Sequence, residues 1–224
     1  MEIERRDLTE AQEDYLKQIF LLEQAGERVT TQSLAARLSV RPASVTEMVG
    51  RLAQQGLVEH TPYRPTRLRE SGRRVALELL RHHRLLETFL VEHLGYSWDQ
   101  VHEEAERLEH VISERFEARI AEVLGHPTHD PHGDPIPDHE LAMPATDGQR
   151  SLRDLETGSV GTIVRVGTQD GRVLAELARL GLTIGLEVEV IEIGADALRL
   201  RRRDENVTVP MALCDELWIE GETT

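Results

Sequence analysis

The sequence predicts a mainly α-helical protein that ends in a small β domain, and three observations carry this prediction. Apolar residues recur at helical spacing through the first 125 residues. Five prolines then interrupt the segment 126–150, which breaks the helical pattern. Beyond it, apolar residues alternate in several short stretches at close intervals, which is typical of a small β-barrel.

The N-terminal part has the element order of a winged helix-turn-helix. Thr9 and Gln12 have capping-box spacing and open the first helix. A second short helix and a three-residue turn, 39–41, precede a third helix in which Pro42 occupies the first turn. Two short strands then flank a Pro-rich turn, 61–65. This order predicts a DNA-binding unit whose third helix enters the major groove.

The third helix would present short side chains to DNA while Val45, Met48 and Val49 face inward with Leu52. Short polar and methyl-bearing groups allow close approach to base edges, and arginines contact phosphate. The candidate DNA contacts are Thr31, Arg41, Ala43, Ser44, Thr46, Glu47, Arg51 and Arg64. Glu47 would either accept from a cytosine amino group or be a solvated acid. The alternative for the whole unit is a helical domain with solvated arginines.

Two further helices combine acids with histidines. Ser71 is expected to cap a helix ending near Gly95, and Ser97, with Gln100 as its box partner, to cap a helix ending near Gly125. On one face of the later helix four potential ligands recur at i, i+4, i+7 and i+8: His102, Glu106, Glu109 and His110. The earlier helix carries a second such pair, His83 and Glu87. If these faces meet, they predict one or two metal sites; the alternative is an acidic solvated face.

The charge is unevenly distributed. Taken as an average over the chain, the formal net charge of −15 argues against a nucleic-acid partner, because phosphate repels an acidic chain. Residues 1–75, however, carry 12 basic and 11 acidic residues, whereas 76–144 carry 5 basic and 15 acidic ones. Nine of the ten histidines lie between His82 and His139. The acidity therefore coincides with the candidate metal ligands and leaves the DNA-binding segment near neutral.

Other classes of protein find little support. No apolar run reaches the length of a membrane span, the N-terminus lacks a signal-peptide core, and the single cysteine, Cys214, fits a reducing cytoplasm. An aromatic content of 4% argues against a base-stacking RNA surface. There is no HExxH, nucleophile-elbow, P-loop or GxGxxG motif, so we expect no enzyme activity.

These residues together resemble the metal-dependent transcriptional repressors of the diphtheria toxin repressor and manganese transport regulator family. The resemblance covers nearly the whole chain and rests on segments 13–16, 40–49, 57–58, 66–72, 81–87, 101–110 and 131–137. It implies a winged helix-turn-helix, a helical dimerisation and metal-binding domain, and an SH3-like (FeoA-like) β-barrel. We place their boundaries at 1–73, 74–143 and 144–224.

The resemblance also implies ligand sets. One metal site would be formed by Asp14, Glu106, Glu109 and His110. A second site, or a share of a binuclear one, would be formed by His83, Glu87 and His102. Iron-type members have Met and Cys where this chain has Asp14 and Glu106, and hard carboxylates there favour Mn²⁺ and, less selectively, Fe²⁺. Asp170 and Glu176 are candidates for a ligand from the barrel, the alternative being ordinary surface acids.

The sequence therefore indicates a cytoplasmic homodimeric regulator of metal homeostasis that holds one or two Mn²⁺ or Fe²⁺ ions per subunit and binds double-stranded operator DNA. In this interpretation Asp14 links the DNA-binding domain to metal ligands on the dimerisation helices. The alternatives are a winged-helix regulator that senses a non-metal effector, a metal-dependent hydrolase, and a barrel that serves as a protein-interaction module.

Overall fold

The computed structural model describes residues 5–61, 64–146 and 148–221, which form two compact units. The first unit contains the chain up to His82 together with 137–142. The second contains His83–Ile136 and the chain from Met143 onward. No helix within these described ranges combines the length and the apolar character needed to cross a bilayer.

The first unit has the predicted winged helix-turn-helix order. Its elements are α1 (Glu10–Gln24), α2 (Thr31–Arg37), α3 (Pro42–Gln54), β1 (Val58–Glu59), β2 (Arg67–Leu68) and the start of α4 (Glu70–Leu94), after a 3-10 turn at Arg5–Asp7. The predicted capping box is confirmed, since the backbone N–H of Gln12 donates to Thr9 Oγ1 and that of Thr9 donates to Gln12 Oε1. Of the predicted Pro-rich turn 61–65, positions 62 and 63 lie outside the described residues.

Apolar side chains fix the outward face of α3. Val45, Val49 and Leu52 are buried as predicted, whereas Met48 is only half-buried. Burying a side chain of this size contributes about 1.5–3 kcal/mol. Because the buried side chains lie on one face of α3, the opposite face of the helix is exposed.

The predicted cap at Ser71 is wrong, because α4 begins one residue earlier, at Glu70. The Ser71 hydroxyl instead donates to the backbone carbonyl of Gly56 at 3.1 Å. A Cβ on the neighbouring Gly72 would lie 2.1 Å from the Leu57 carbonyl oxygen. The first turn of α4 therefore packs closely against the residues before β1. The hydrogen bond from Ser71 to Gly56 stabilises this contact.

The second unit begins within α4 and contains further helices and a β domain. The helices are α5 (Val101–Leu108), α6 (Glu114–Val123), α7 (Gly171–Arg179) and α8 (Met211–Cys214). The prediction of one continuous helix up to Gly125 is wrong, because Ser113 caps a new helix by accepting from the Phe116 N–H at 3.3 Å. The predicted cap at Ser97 is also wrong, since Gln100 occupies the N-cap of α5 without a side-chain bond.

The β domain is a six-stranded antiparallel sheet in the order β3-β8-β4-β5-β6-β7. Its strands are β3 (Arg150–Ser151), β4 (Val160–Val166), β5 (Glu187–Ile193), β6 (Ala197–Arg202), β7 (Glu205–Pro210) and β8 (Leu217–Glu220). The fold class is confirmed as mainly helical with a small C-terminal β domain. The strands β3 and β8 were not predicted from the sequence.

Candidate functional site

Three predicted metal ligands converge in the second unit. His83 and Glu87 lie one turn apart on α4, and His102 lies on α5. The distances are 3.0 Å from His83 Nε2 to Glu87 Oε1, 3.0 Å from His83 Nε2 to His102 Nδ1, and 3.2 Å from His102 Nδ1 to Glu87 Oε1. Metal–nitrogen and metal–oxygen bonds of about 2.0–2.2 Å place adjacent ligand atoms of an octahedral ion about 3 Å apart. The three atoms therefore fit one divalent cation.

The other ring nitrogen of His83 is held by a buried carboxylate. His83 Nδ1 lies 2.5 Å from Glu109 Oε2, and a carboxylate can only accept, so Nδ1 carries a proton. His83 Nε2 donates in the same way to Glu87 Oε1 at 3.0 Å. A bound cation would take the place of the proton on Nε2, which gives the carboxylate–histidine–metal arrangement that orients ligands in metal sites. The second oxygen of Glu109 lies 3.5 Å from His110 Nε2. Two more predicted ligands are thus placed beside this group.

A second group of potential ligands, which the sequence did not predict, shares Glu87 with the first. Glu87, Asp130 and His132 are all buried, and one ligand atom from each lies within 4.8 Å of the others. Three of their polar atoms have no hydrogen-bond partner among the described residues: Glu87 Oε2, Asp130 Oδ2 and His132 Nδ1. Burying a polar atom without a partner is costly. Each of the three residues therefore offers one buried polar atom, without a hydrogen bond, that could bind a cation.

The sequence pattern that could have indicated this second group is Asp130 and His132, an acid and an imidazole two positions apart in a segment rich in prolines. Asp130 Oδ1 accepts from the backbone N–H groups of His132 at 2.8 Å and Asp134 at 2.9 Å, which forms a local turn. Arg84, itself buried, places Nε 3.8 Å from Asp130 Oδ2. In the sequence, prolines break the helical pattern across this segment, and nothing local in it shows that it folds back on Glu87.

Burial and charge shift the pKa values in the Glu87–Asp130–His132 group. Burial works against ionisation of Glu87, but the charge of His83 and hydrogen bonds from neighbouring imidazoles hold the pKa of Glu87 well below its usual range. Burial and the charges of Asp134 and Glu87 raise the pKa of Asp130 to about 8. Burial favours neutral His132, but Glu87 and Asp130 outweigh it and raise the pKa of His132. A cation would therefore displace protons from Asp130 and His132.

We expect the affinity for Mn²⁺ to rise with pH between about pH 6 and pH 8, by about tenfold per pH unit for each proton displaced. The sign follows from the raised pKa of Asp130, about 8, because below it a proton competes with the cation. In the metal-free chain the same raised pKa lowers the free energy of unfolding as pH rises over this range. Calorimetric titration at several pH values measures the affinity. Asp130→Asn should flatten the profile, and a flat wild-type profile would contradict the prediction.

The remaining predicted ligands lie on different elements of the fold and differ in exposure. Glu106 is exposed on α5, with Oε1 3.7 Å from His102 Nε2. Asp14 is half-buried on α1 in the first unit. In the β domain, Asp170 caps α7 by accepting from the Arg172 N–H at 2.8 Å, and Glu176 pairs with Arg179. Neither Asp170 nor Glu176 belongs to a group of three ligand-capable side chains in the described part of the chain.

The candidate DNA contacts lie mostly on one exposed surface. Of these residues only Thr31 is half-buried, and the following are exposed: Arg41, Ala43, Ser44, Thr46, Glu47, Arg51 and Arg64. Glu47 Oε1 accepts from Arg51 at 2.5 Å along the helix, so the acid is paired rather than isolated. Thr46 Oγ1 donates to the Pro42 carbonyl at 3.2 Å. The start of α3 therefore presents short side chains between two arginines.

Known proteins similar to this chain share its domain order. Residues 7–65 match the model for the N-terminal DNA-binding domain of iron-dependent repressors, 69–138 match their metal binding and dimerisation domain, and 150–221 match the FeoA domain. The iron-dependent repressor IdeR of Mycobacterium tuberculosis is 34% identical over 96% of this chain and 98% of its own length. The chain belongs to the iron-dependent repressor family. The diphtheria toxin repressor of Corynebacterium glutamicum is 33% identical over 83% of this chain and 86% of its own length.

Solved structures agree with membership of the iron-dependent repressor family. A manganese-dependent transcriptional repressor in complex with manganese has a TM-score of 0.88 and 37% identity, covering 94% of this chain and all of its own. The manganese regulator SloR has a TM-score of 0.77 and 32% identity over 94% of this chain and 98% of its own. The chain is thus a member of a family of metal-dependent DNA-binding transcriptional repressors.

Proposed function

We propose that this chain is a cytoplasmic, homodimeric, non-enzymatic repressor whose affinity for double-stranded operator DNA rises when Mn²⁺ or Fe²⁺ binds. The observation that carries the proposal is the pair of buried ligand groups that share Glu87, with three orphaned polar atoms in one of them. We assign 1–73 to DNA binding, 74–143 to dimerisation and metal binding, and 144–224 to the barrel.

The ligand atoms favour hard and intermediate divalent cations. Every donor in the two groups is a carboxylate oxygen or an imidazole nitrogen, and thiolate and thioether are absent from them. Such a set suits Mn²⁺ and Fe²⁺ better than soft ions such as Cu⁺. We assign one ion to the Glu87-centred groups and a second to the set implied by family resemblance, which is Asp14, Glu106, Glu109 and His110.

The mechanism follows from the charge on these side chains. A bound cation would supply positive charge in a segment, 76–144, that carries ten more acidic than basic residues. Asp14 would contribute its carboxylate from the DNA-binding domain, and the carboxylate of Glu109 and the imidazole of His110 would come from the dimerisation domain. This shared ligation would restrict the DNA-binding domains of the dimer to one spacing. By linkage, operator binding and metal binding then strengthen each other by the same factor.

The DNA contacts would come from the start of α3 and the hairpin. Ala43, Ser44 and Thr46 are exposed and short enough to meet base edges, and Arg41, Arg51 and Arg64 would contact phosphate. We assign Glu47 to the orientation of Arg51, since the two are paired along the helix. Thr31 is the first residue of α2, and its hydroxyl would donate a hydrogen bond to the DNA phosphate backbone.

The proposed function is tested by selection from a pool of random-sequence duplexes. The pool is passed over the full chain in Mn²⁺, and the enriched duplex is compared in shift assays with Mn²⁺, Fe²⁺ under anaerobic conditions, and a chelator. We expect a sequence-specific complex that the chelator dissolves. A specific complex that persists in chelator would favour the non-metal effector alternative, and Mn²⁺-dependent turnover of a phosphodiester such as bis(4-nitrophenyl) phosphate would favour the hydrolase.

We propose that a second copy of the chain packs on an apolar stripe of α6 and the turn before it. Phe116 and Val123 lie two turns apart on α6 and are about half exposed, and Val111 in the preceding turn is 69% exposed. Exposed large apolar side chains in a cluster mark association surfaces. The stripe lies within 69–138, the segment that matches the family's metal binding and dimerisation domain.

Phe116→Asp is expected to weaken the dimer by about 3 kcal/mol, roughly 100-fold, because a charge would be buried in the centre of the interface. Sedimentation equilibrium over a range of concentrations measures the dissociation constant. Ala118→Asp is the matched control, since it adds the same charge to an exposed position on another face of α6. An unchanged dimer in Phe116→Asp would show that this stripe is not the interface.

A further inference from the structure

Trp98 lies beside the second ligand group without belonging to it. It precedes α5, and its ring stacks on that of His132 with centroids 5.4 Å apart and planes inclined by 14°. The same ring packs against the apolar core of the β domain. Trp98 is therefore in contact with both the candidate metal centre and the barrel.

The backbone of Trp98 determines which nitrogen of His132 can bind a cation. His132 Nε2 lies 3.1 Å from the Trp98 carbonyl oxygen. A carbonyl oxygen can only accept, so Nε2 carries the proton. Nδ1 is then the atom with a free lone pair, and it lies 3.7 Å from Glu87 Oε2. In metal sites, the hydrogen bond of one imidazole nitrogen fixes the tautomer and orients the other nitrogen.

The β domain contacts the backbone of His132. The backbone N–H of Val166, at the end of β4, donates to the His132 carbonyl at 2.8 Å. Gly133 has φ +83°, and a Cβ built on it would lie 2.0 Å from the Val164 carbonyl oxygen. Only glycine allows this close approach, so the loop that carries His132 is fitted against the edge of β4.

We infer that Trp98 is a positioning residue that fixes the tautomer and ring orientation of His132 so that Nδ1 faces Glu87 and Asp130. This inference rests on the proposed function, in which that group holds a divalent cation. Through Trp98 and the loop at Gly133, the β domain supports the metal centre.

The first test is Mn²⁺ binding by the full chain, with free Mn²⁺ counted by electron paramagnetic resonance. Trp98→Ala keeps the backbone carbonyl but removes the ring that orients His132, so it is expected to weaken one class of Mn²⁺ site by about 10-fold and to leave the other class unchanged. Trp98→Phe retains a stacking ring, so it should bind Mn²⁺ with near the wild-type affinity. Tyr96→Ala, an exposed aromatic residue in the same loop, is the matched control and should change neither class.

The second test needs no metal. Nitrogen-15 chemical shifts of the metal-free wild type at about pH 9 should show His132 as the Nε2–H tautomer, with the resonances assigned by their loss in His132→Phe. Trp98→Ala keeps the backbone carbonyl but loses the ring that holds the imidazole against it, so it should give a mixture of tautomers. An Nδ1–H tautomer in the wild type, or wild-type Mn²⁺ affinity in a folded Trp98→Ala, would overturn the inference. If Trp98→Ala fails to fold, the tautomer of His132 in the wild type still tests the inference: Nε2–H supports it and Nδ1–H overturns it. A wild type that binds no Mn²⁺ would refute the proposed function, and the tautomer would still test the role of Trp98.

Discussion

Glu87→Gln is expected to lower Mn²⁺ affinity at the centre by at least about 100-fold, a loss beyond the 10–100-fold typical of outer-shell changes. Glu87 belongs to both ligand groups, with Oε1 near His83 and His102 and Oε2 near His132. Glutamine preserves the volume and removes the negative charge from both groups at once. Calorimetric titration of Mn²⁺ into the full chain measures the loss, and the Mn²⁺ stimulation of operator binding should fall with it.

The matched control for this substitution is Glu92→Gln, which makes the same chemical change at an exposed position of α4. It should bind Mn²⁺ as the wild type does. If Glu87→Gln retained the full stoichiometry and affinity, neither Glu87-centred group could be a metal site. A loss confined to one class of site is the expected result, because the second ion is assigned to Asp14, Glu106, Glu109 and His110.

Asp14→Ala is expected to keep the fold and the dimer while losing the Mn²⁺ stimulation of operator binding. The reason is that Asp14 is the one proposed ligand from the DNA-binding domain, so its removal uncouples that domain from the metal-binding domain. A shift assay with and without Mn²⁺ measures the stimulation, which should fall from the wild-type factor, typically 5–150-fold for such coupling, to about one.

Glu10→Ala is the control for Asp14→Ala, because it removes an exposed acid from the same helix. Circular dichroism and sedimentation would verify that both variants fold and dimerise. Unchanged Mn²⁺ stimulation in Asp14→Ala would contradict the proposed coupling. Glu106→Ala and His110→Ala extend the test, since each should weaken Mn²⁺ binding if the ligand set implied by the resemblance is right.

The parts of the fold that were predicted correctly are those whose signals are local. The capping box of Thr9 and Gln12, the proline at the start of α3 and the period of its buried residues are each contained within a few positions. The pair His83 and Glu87 follows in the same way from helical spacing. That His102 meets this pair required only that two neighbouring helices pack together.

The parts that were missed depend on contacts between distant residues, except for one break between helices that depends on a local cap. The segment 98–125 has continuous helical periodicity, and the break at Ser113 depends on a cap that competes with an uninterrupted helix. Ser71 looks like a cap locally but donates to Gly56, 15 residues away. Asp130 and His132 became candidate ligands only because a loop places them beside Glu87, more than 40 residues earlier in the sequence.

The close fit of Gly133 against β4 has a consequence for how the chain unfolds. The helices from His83 onward and the β domain form one compact unit, and the His132 loop is hydrogen-bonded to the sheet. Separating the two parts would strip hydrogen bonds and apolar contacts from both, so they should melt together rather than in sequence. We therefore expect the β domain and the helices from His83 onward to unfold as one cooperative unit.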